Sequence, residues 1–273
     1  LAFGLSQIQA QELSSNSVSS DATMVQITIP GGPATAPPQS AVALGEYQAR
    51  PESTYTLQKS SGDKSACNVL MVVADGDISG SPIQGLLQAY GDLGAVDLFD
   101  AINGTPTLGQ IQAYDVVLTW SNNPYNDAVS LGNVLADYVD AGGKVINLMF
   151  SMGVPGGYQL LGRFQTENYA AINASSYIFS TSCLGTYTSG HPIMAGVSNV
   201  CDYYRPVGTS LGIESTEVAR WADGELFVAV KNNHTVISIG GYVGAYYQWT
   251  GQMPDVLHNA ILYLYTPPVI PVS

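Results

Sequence analysis

The segment from Cys67 to Phe150 constrains the fold most, because it reads twice as strand, loop, helix, strand. The first unit opens with CNVLMVVAD, whose Val, Leu and Met from Asn68 to Ala74 form a short continuous apolar run. Such a run fits a strand buried on both faces, as in a parallel sheet. Ser81 then supplies a helix cap and Pro82 suits the first turn, where a missing N–H costs nothing. Ile83, Leu86, Leu87 and Tyr90 follow at i, i+3, i+4 and i+7, one stripe of a helix, and Gly91 and Gly94 end it before the strand AVDLFD. The second unit begins with YDVVLTW, and Asn123 and Pro124 read as its cap and first-turn pair. Ala128, Leu131, Leu135 and Tyr138 make the inward stripe, Gly142 and Gly143 stop the helix, and KVINLMF is the next strand. Alternating strands and helices imply right-handed parallel crossovers and an α/β class.

The chain has 273 residues, enough for one core of about 200 residues with about 70 to spare. Only 11% are charged and the net charge is −13, so the surface must be built from Ser, Thr, Asn, Gln, Gly and the 17 Tyr. Nucleic acid and anionic lipid are excluded as partners, since neither gains from an acidic surface; multivalent cations are its natural counterions. No apolar run approaches the ~20 residues that span a bilayer. Residues 1–12, LAFGLSQIQAQE, resemble the tail of a secretory signal, which leads us to expect an exported chain whose mature end is Leu1.

Three parts are expected: an arm over 1–66, a core over 67–266 and a Pro-rich tail over 267–273. The arm is rich in Ser, Thr, Gln and Pro. Within it Val25, Ile27 and Ile29 alternate with polar neighbours, the period of a strand with one apolar face. A strand over 22–30 with no partner in its own arm must pair with the core's sheet edge or with another molecule. From Tyr177 to Val207 turns and short strands are expected, then a hairpin-like series through Val218–Trp221, Leu226–Val230 and Val236–Ile239. A last helix carries Leu257, Ala260, Ile261 and Leu264.

Of the three cysteines, Cys183 and Cys201 bracket a loop-rich segment and are expected to form a disulfide in an exported protein, whereas Cys67 opens a buried strand. Asn103, Asn173 and Asn233 each begin an N-glycosylation sequon. Asp75, Asp77 and Ser79 stand at positions 1, 3 and 5 of a calcium-type loop, but position 12 is Leu86, so the EF-hand reading fails. A looser Ca2+ site of oxygen ligands is one reading, a solvated helix-capping loop the other. No other cofactor is expected. Tyr242, Tyr246, Tyr247 and Trp249 form the densest aromatic cluster, suited to glycan stacking or to covering a core edge.

The strings VLMVVADGD, YDVVLTWSN, LADYVDAGGKVINL, GHPIMAGV, DGELFVAVKNNHTVISIGGY and LHNAILYLY occur in an order that resembles the class I glutamine amidotransferase-like superfamily, particularly its ThuA-like and extracellular branches. The resemblance covers 67–265 and implies a doubly wound, flavodoxin-like parallel sheet. It also implies a Cys nucleophile in a Cys-x-Gly turn after the fourth strand, with a His and an acid downstream. Here that turn is FSMG, with Ser151 in the Cys position. The available imidazoles are His191, His234 and His258, and none stands in a triad-like pattern.

Three functions compete on this reading. The first is a secreted, non-catalytic structural subunit that self-assembles, as a filament or surface layer, through its N-terminal strand. The second is a cell-surface carbohydrate- or ligand-binding module. The third is a Ser151-dependent hydrolase with His191 as the candidate base.

Overall fold

The computed structural model describes residues 66–76 and 81–265. Val25, Ile27, Ile29, Asp77 and Ser79 lie outside them. In chain order the elements are β1 (Cys67–Ala74), α1 (Ile83–Ala89), β2 (Leu93–Asp100), α2 (Leu108–Ile111), β3 (Val116–Ser121), α3 (Ala128–Asp140), β4 (Lys144–Leu148) and α4 (Gly162–Thr166). There follow β5 (Ile172–Asn173), β6 (Ser176–Tyr187), a 3-10 turn (Pro192–Met194), β7 (Val200–Val207), β8 (Ser210–Leu211), β9 (Ser215–Trp221), β10 (Leu226–Lys231), β11 (Val236–Ile239), β12 (Thr250–Gly251) and α5 (Met253–Tyr265).

One sheet runs through the molecule in the order β12-β7-β6-β9-β10-β11-β4-β3-β1-β2, and β5 pairs with β8 beside it. From β2 to β11 neighbouring strands are parallel. From β11 to β12 they are antiparallel. The parallel half is covered on both faces, which is why its strands read as unbroken apolar runs. Val69, Met71 and Val73 of β1 join Ile83, Leu87, Val256 and Ile261 on the face of α1 and α5. Leu70, Val72 and Ala74 join Leu131 and Leu135 on the face of α3. Cys67 is a buried thiol, and burial, with the charge of Asp115 adding, pushes its pKa up to about 12.

The first helix is entered at Pro82 rather than from a Ser81 cap; the Ser81 hydroxyl accepts from the Ile83 N–H at 3.3 Å and donates to the distant Val243 carbonyl at 2.6 Å. The third does not start at Asn123-Pro124. The N–H groups of Asn122 and Asn123 both donate to the Ala74 carbonyl, at 2.7 and 3.0 Å, and tie that segment to the end of β1. Asp127 is the cap, accepting from Val129 and Ser130. Gly132 lets α3 meet the chain entering α4: a Cβ there would stand 1.9 Å from the Leu161 carbonyl oxygen.

The segment after Tyr177 differs most from expectation. It is not turns and short pieces but a long hairpin of β6, 12 residues, against β7, 8 residues. Its pairing shifts register between Phe179 and Ser182, a bulge. A buried guanidinium holds this irregularity. Arg205, 1% exposed, donates from Nε and one Nη to the Ser180 carbonyl at 2.9 and 2.8 Å, and from the other Nη to Asp223 at 2.6 Å. Cys183 and Cys201 face each other across the two strands and are joined by a disulfide. Removing it in a Cys183→Ala, Cys201→Ala protein should lower the unfolding free energy by about 3 kcal/mol, the value expected for closing a short loop. Urea unfolding of the two proteins at equal concentration measures this, and coincident curves would show that the staple contributes nothing.

Candidate functional site

The carboxyl ends of β1, β3, β4 and β11 meet at one edge of the parallel half-sheet, where ligands bind in open α/β folds. Asp75 follows β1 there and is only 2% exposed. Its Oδ2 accepts from the Trp120 indole N–H at 3.1 Å, the Tyr242 hydroxyl at 2.7 Å and the Ala245 N–H at 3.1 Å. Among the described residues its Oδ1 has no hydrogen-bond partner. Burial raises its pKa, and these donors, with the Asn122 amide, pull the other way. The carboxyl thus clamps the loop after β11 onto β1 and β3. Gly244 makes room for it, since a Cβ there would sit 1.8 Å from Asp75 Oδ2.

The turn after β4 carries Ser151, 3% exposed. Its hydroxyl donates to the Leu148 carbonyl at 2.5 Å, and the backbone N–H of the same residue also donates to that carbonyl, at 3.0 Å. The Tyr125 hydroxyl lies among the hydroxyls of Thr119, Ser121 and Ser151, and burial raises its pKa. The shell around Ser151 is therefore made of hydroxyls and carbonyls.

No imidazole reaches it, for a reason visible in the strand register. β11 lies parallel to β4 with Val236 opposite Val145 and Ile239 opposite Leu148. His234 precedes β11 and Ser151 follows β4, so at 3.3 Å per residue they are separated by roughly 15 Å. His191 shares the end of His234, because both rings pack on Tyr263, at 5.0 and 5.1 Å. The Nδ1 of His191 accepts from the Ile193 N–H at 3.3 Å, and its pKa is lowered by burial and by His234. His258 bonds Asp92 at 2.7 Å and stacks on Tyr90 at 3.8 Å, and Asp92 stands at the amino end of β2. All three imidazoles thus gather at the amino edge of the sheet, opposite Ser151.

The remaining sequence candidates are dispersed. Asn103, Asn173 and Asn233 are all exposed. Asn233 forms a closed turn in which its side-chain oxygen accepts from the Thr235 hydroxyl at 2.6 Å. It also borders a cleft of about 370 Å³ at the amino edge, shared with Asp140, Glu167, Glu214 and Lys231. There Arg163 already bonds Asp140 and Glu167, and the Lys231 ammonium donates to the Ile213 carbonyl at 2.5 Å. Among the described residues no group of three or more His, Cys, Asp and Glu is placed to hold a metal ion. No described helix is long and apolar enough to cross a membrane.

The aromatic cluster divides. Tyr242 is buried against Asp75, whereas Tyr246 and Tyr247 are exposed. A second aromatic group, absent from the sequence expectations, comes from β6 and β7. Tyr177, Phe179 and Tyr204 pack around Phe150, the neighbour of Ser151, and Tyr203 stacks on Phe179. Their spacing in sequence is irregular, and only the bulged pairing brings them together.

The same fold occurs in solved structures. A protein described as ThuA-like from Bacteroides uniformis superposes with a TM-score of 0.52 at 10% identity, over 74% of this chain and 93% of that one. Weaker likenesses join a glutamine amidotransferase of Thermotoga maritima (TM-score 0.43, 10% identity, 63% of this chain and 74% of that one) and the glutaminase domain of Trypanosoma brucei CTPS (0.48, 8%, 72% and 93%). No family model and no curated protein matches the chain. The core thus shares the α/β fold of that ThuA-like protein, and at 10% identity the likeness is one of fold alone.

Proposed function

We propose that this chain is a secreted, non-catalytic structural subunit, in which an amidotransferase-like core serves as a scaffold and residues 22–30 join one subunit to the next. One observation carries the non-catalytic part. The Ser151 hydroxyl is committed to the Leu148 carbonyl, while every histidine sits at the opposite edge of the sheet. A serine nucleophile needs a base within about 3 Å, itself held by a third group. The disulfide, the exposed sequon asparagines and the low charge suit an oxidising, extracellular setting.

The catalytic silence is tested directly. Ester, amide and glutaminase substrates should show no turnover above buffer, and Ser151→Ala should leave those rates unchanged. Turnover lost in Ser151→Ala would replace this reading with the hydrolase.

Assembly is tested by truncation. The alternation of Val25, Ile27 and Ile29 gives the arm one apolar face, which a neighbouring sheet would bury. Deleting residues 1–35 should leave a folded monomer by size exclusion and light scattering, while the full chain forms higher species visible by electron microscopy. Equal assembly of the two proteins would rule out the arm as the joint.

A further inference from the structure

Phe179 is half exposed, at 50%, on a segment that is held rigidly. Its partner across the hairpin is Tyr204, and the register breaks immediately after it. The Ser180 carbonyl turns inward onto Arg205, and the disulfide of Cys183 pins the strand a few residues on. Bulges of this kind re-aim a side chain, and this one leaves an aromatic ring facing water. The ring is also fixed by its neighbours. It stands edge-on to Tyr204, with centroids 5.2 Å apart, and edge-on to Phe150 at 6.2 Å. With Tyr203 its plane is nearly parallel, at 21° with centroids 6.1 Å apart, a stacked contact that holds both rings in place. The Gln248 amide reaches the Tyr204 hydroxyl at 3.2 Å, and the half-exposed Tyr247 packs on Trp249 at 5.1 Å.

The electrostatics of this face narrow what it fits. The strand SYIFSTSCLGTY has no charged residue. Both charges of its partner, VCDYYRPV, are turned inward, Asp202 and Arg205 being buried. In a chain of net charge −13 this is an uncharged strip edged by Ser, Thr and Tyr hydroxyls and one amide. An anionic membrane gains nothing from a face that offers no cation. A neutral sugar chain matches it: the C–H faces of pyranose rings lie on flat aromatic rings, and their hydroxyls exchange hydrogen bonds with the rim.

We propose that the β6–β7 hairpin is a binding platform for neutral polysaccharide, with Phe179 and Tyr203 as its stacking face and Gln248 at its polar rim. The platform requires nothing of residues 22–30 and stands whether or not the arm joins subunits.

The test is affinity electrophoresis of the full chain in native gels containing soluble β-glucan, galactomannan or xylan, with a polysaccharide-free gel as reference. At least one should retard the wild type. Phe179→Ala and Tyr203→Ala should each weaken that retardation about tenfold, and Phe179→Tyr should keep it. Phe179→Trp gives a reading independent of how the alanine variants fold, because its added indole emission should shift when oligosaccharides of the retarding polymer are titrated in. Absence of retardation in all three gels, equal retardation of wild type and a folded Phe179→Ala, or an unmoved Phe179→Trp emission would each overturn the proposal. Concentration-dependent self-association lost in Phe179→Ala, without retardation, would overturn it in favour of a second copy.

Discussion

Replacing Arg205 by Met should lower the unfolding free energy by about 1–3 kcal/mol, the range for leaving a buried hydrogen-bonding group without its partner. The guanidinium is 1% exposed and lies over the Trp221 ring at 5.8 Å. Two of its N–H groups satisfy one carbonyl, Ser180 O, and Met offers none. That oxygen would then lose its partners inside the hairpin, while Met fills most of the volume, so the loss is electrostatic rather than a cavity. Asp223 is the partly exposed end of the pair, and Asp223→Asn should cost well under half as much, since water and the neutral amide can replace it. Urea unfolding of the three proteins in oxidising buffer decides this. If both variants cost the same, the Asp223 ion pair rather than the Ser180 carbonyl is what Arg205 supplies. In the structure Arg205 also fixes the bulge that points Phe179 outward, so the same substitution should loosen the aromatic face.

The parallel half of the fold was legible because burial on both faces leaves a direct mark. The run from Val69 to Ala74 is apolar at every position, and the structure divides it between two layers of helices. Helix starts were legible only to within a few residues, because the expected cap residues are engaged across the fold: Ser81 donates to the Val243 carbonyl and the helix is entered at Pro82, while Asn123 is claimed by the Ala74 carbonyl and the cap passes to Asp127. The β6–β7 hairpin was illegible for a related reason. Its strands have no two-residue alternation, and they are held by a buried arginine and a cross-strand disulfide rather than by one apolar face. The elbow was half legible. Ser151 could be placed by its motif, but where its hydroxyl points, and the gathering of the imidazoles at the far edge, depend on strand register. Asp75 looked like a loop acid open to a cation. Its burial comes from Trp120 and Tyr242, neither adjacent to it in sequence.

The stability of this fold should fall as pH rises from about 4 to about 8, and Asp202 should be a main cause. Burial drives its carboxyl up from the ordinary 3.8 to about 7. The N–H groups of Tyr203, Tyr204 and Tyr242, bonded at 2.7, 3.2 and 2.7 Å, and the charge of Arg205 oppose that rise without cancelling it. Below the unfolded pKa the group is protonated in both states and costs nothing. Between the two values the folded chain holds a proton that the unfolded chain has released, so each pH unit removes up to about 1.4 kcal/mol of stability. The contribution is therefore fully present in acid and lost as pH passes through about 7, on the order of 4 kcal/mol in all. Asp75, also raised by burial, adds in the same sense. His191 works against both, since its lowered pKa favours the folded state as pH rises through the ordinary imidazole range. The Asp202→Asn protein separates these contributions, because an amide imitates the protonated acid and does not titrate. Its stability relative to wild type should improve steadily from pH 4 to pH 8, and a constant difference would remove Asp202 as the cause.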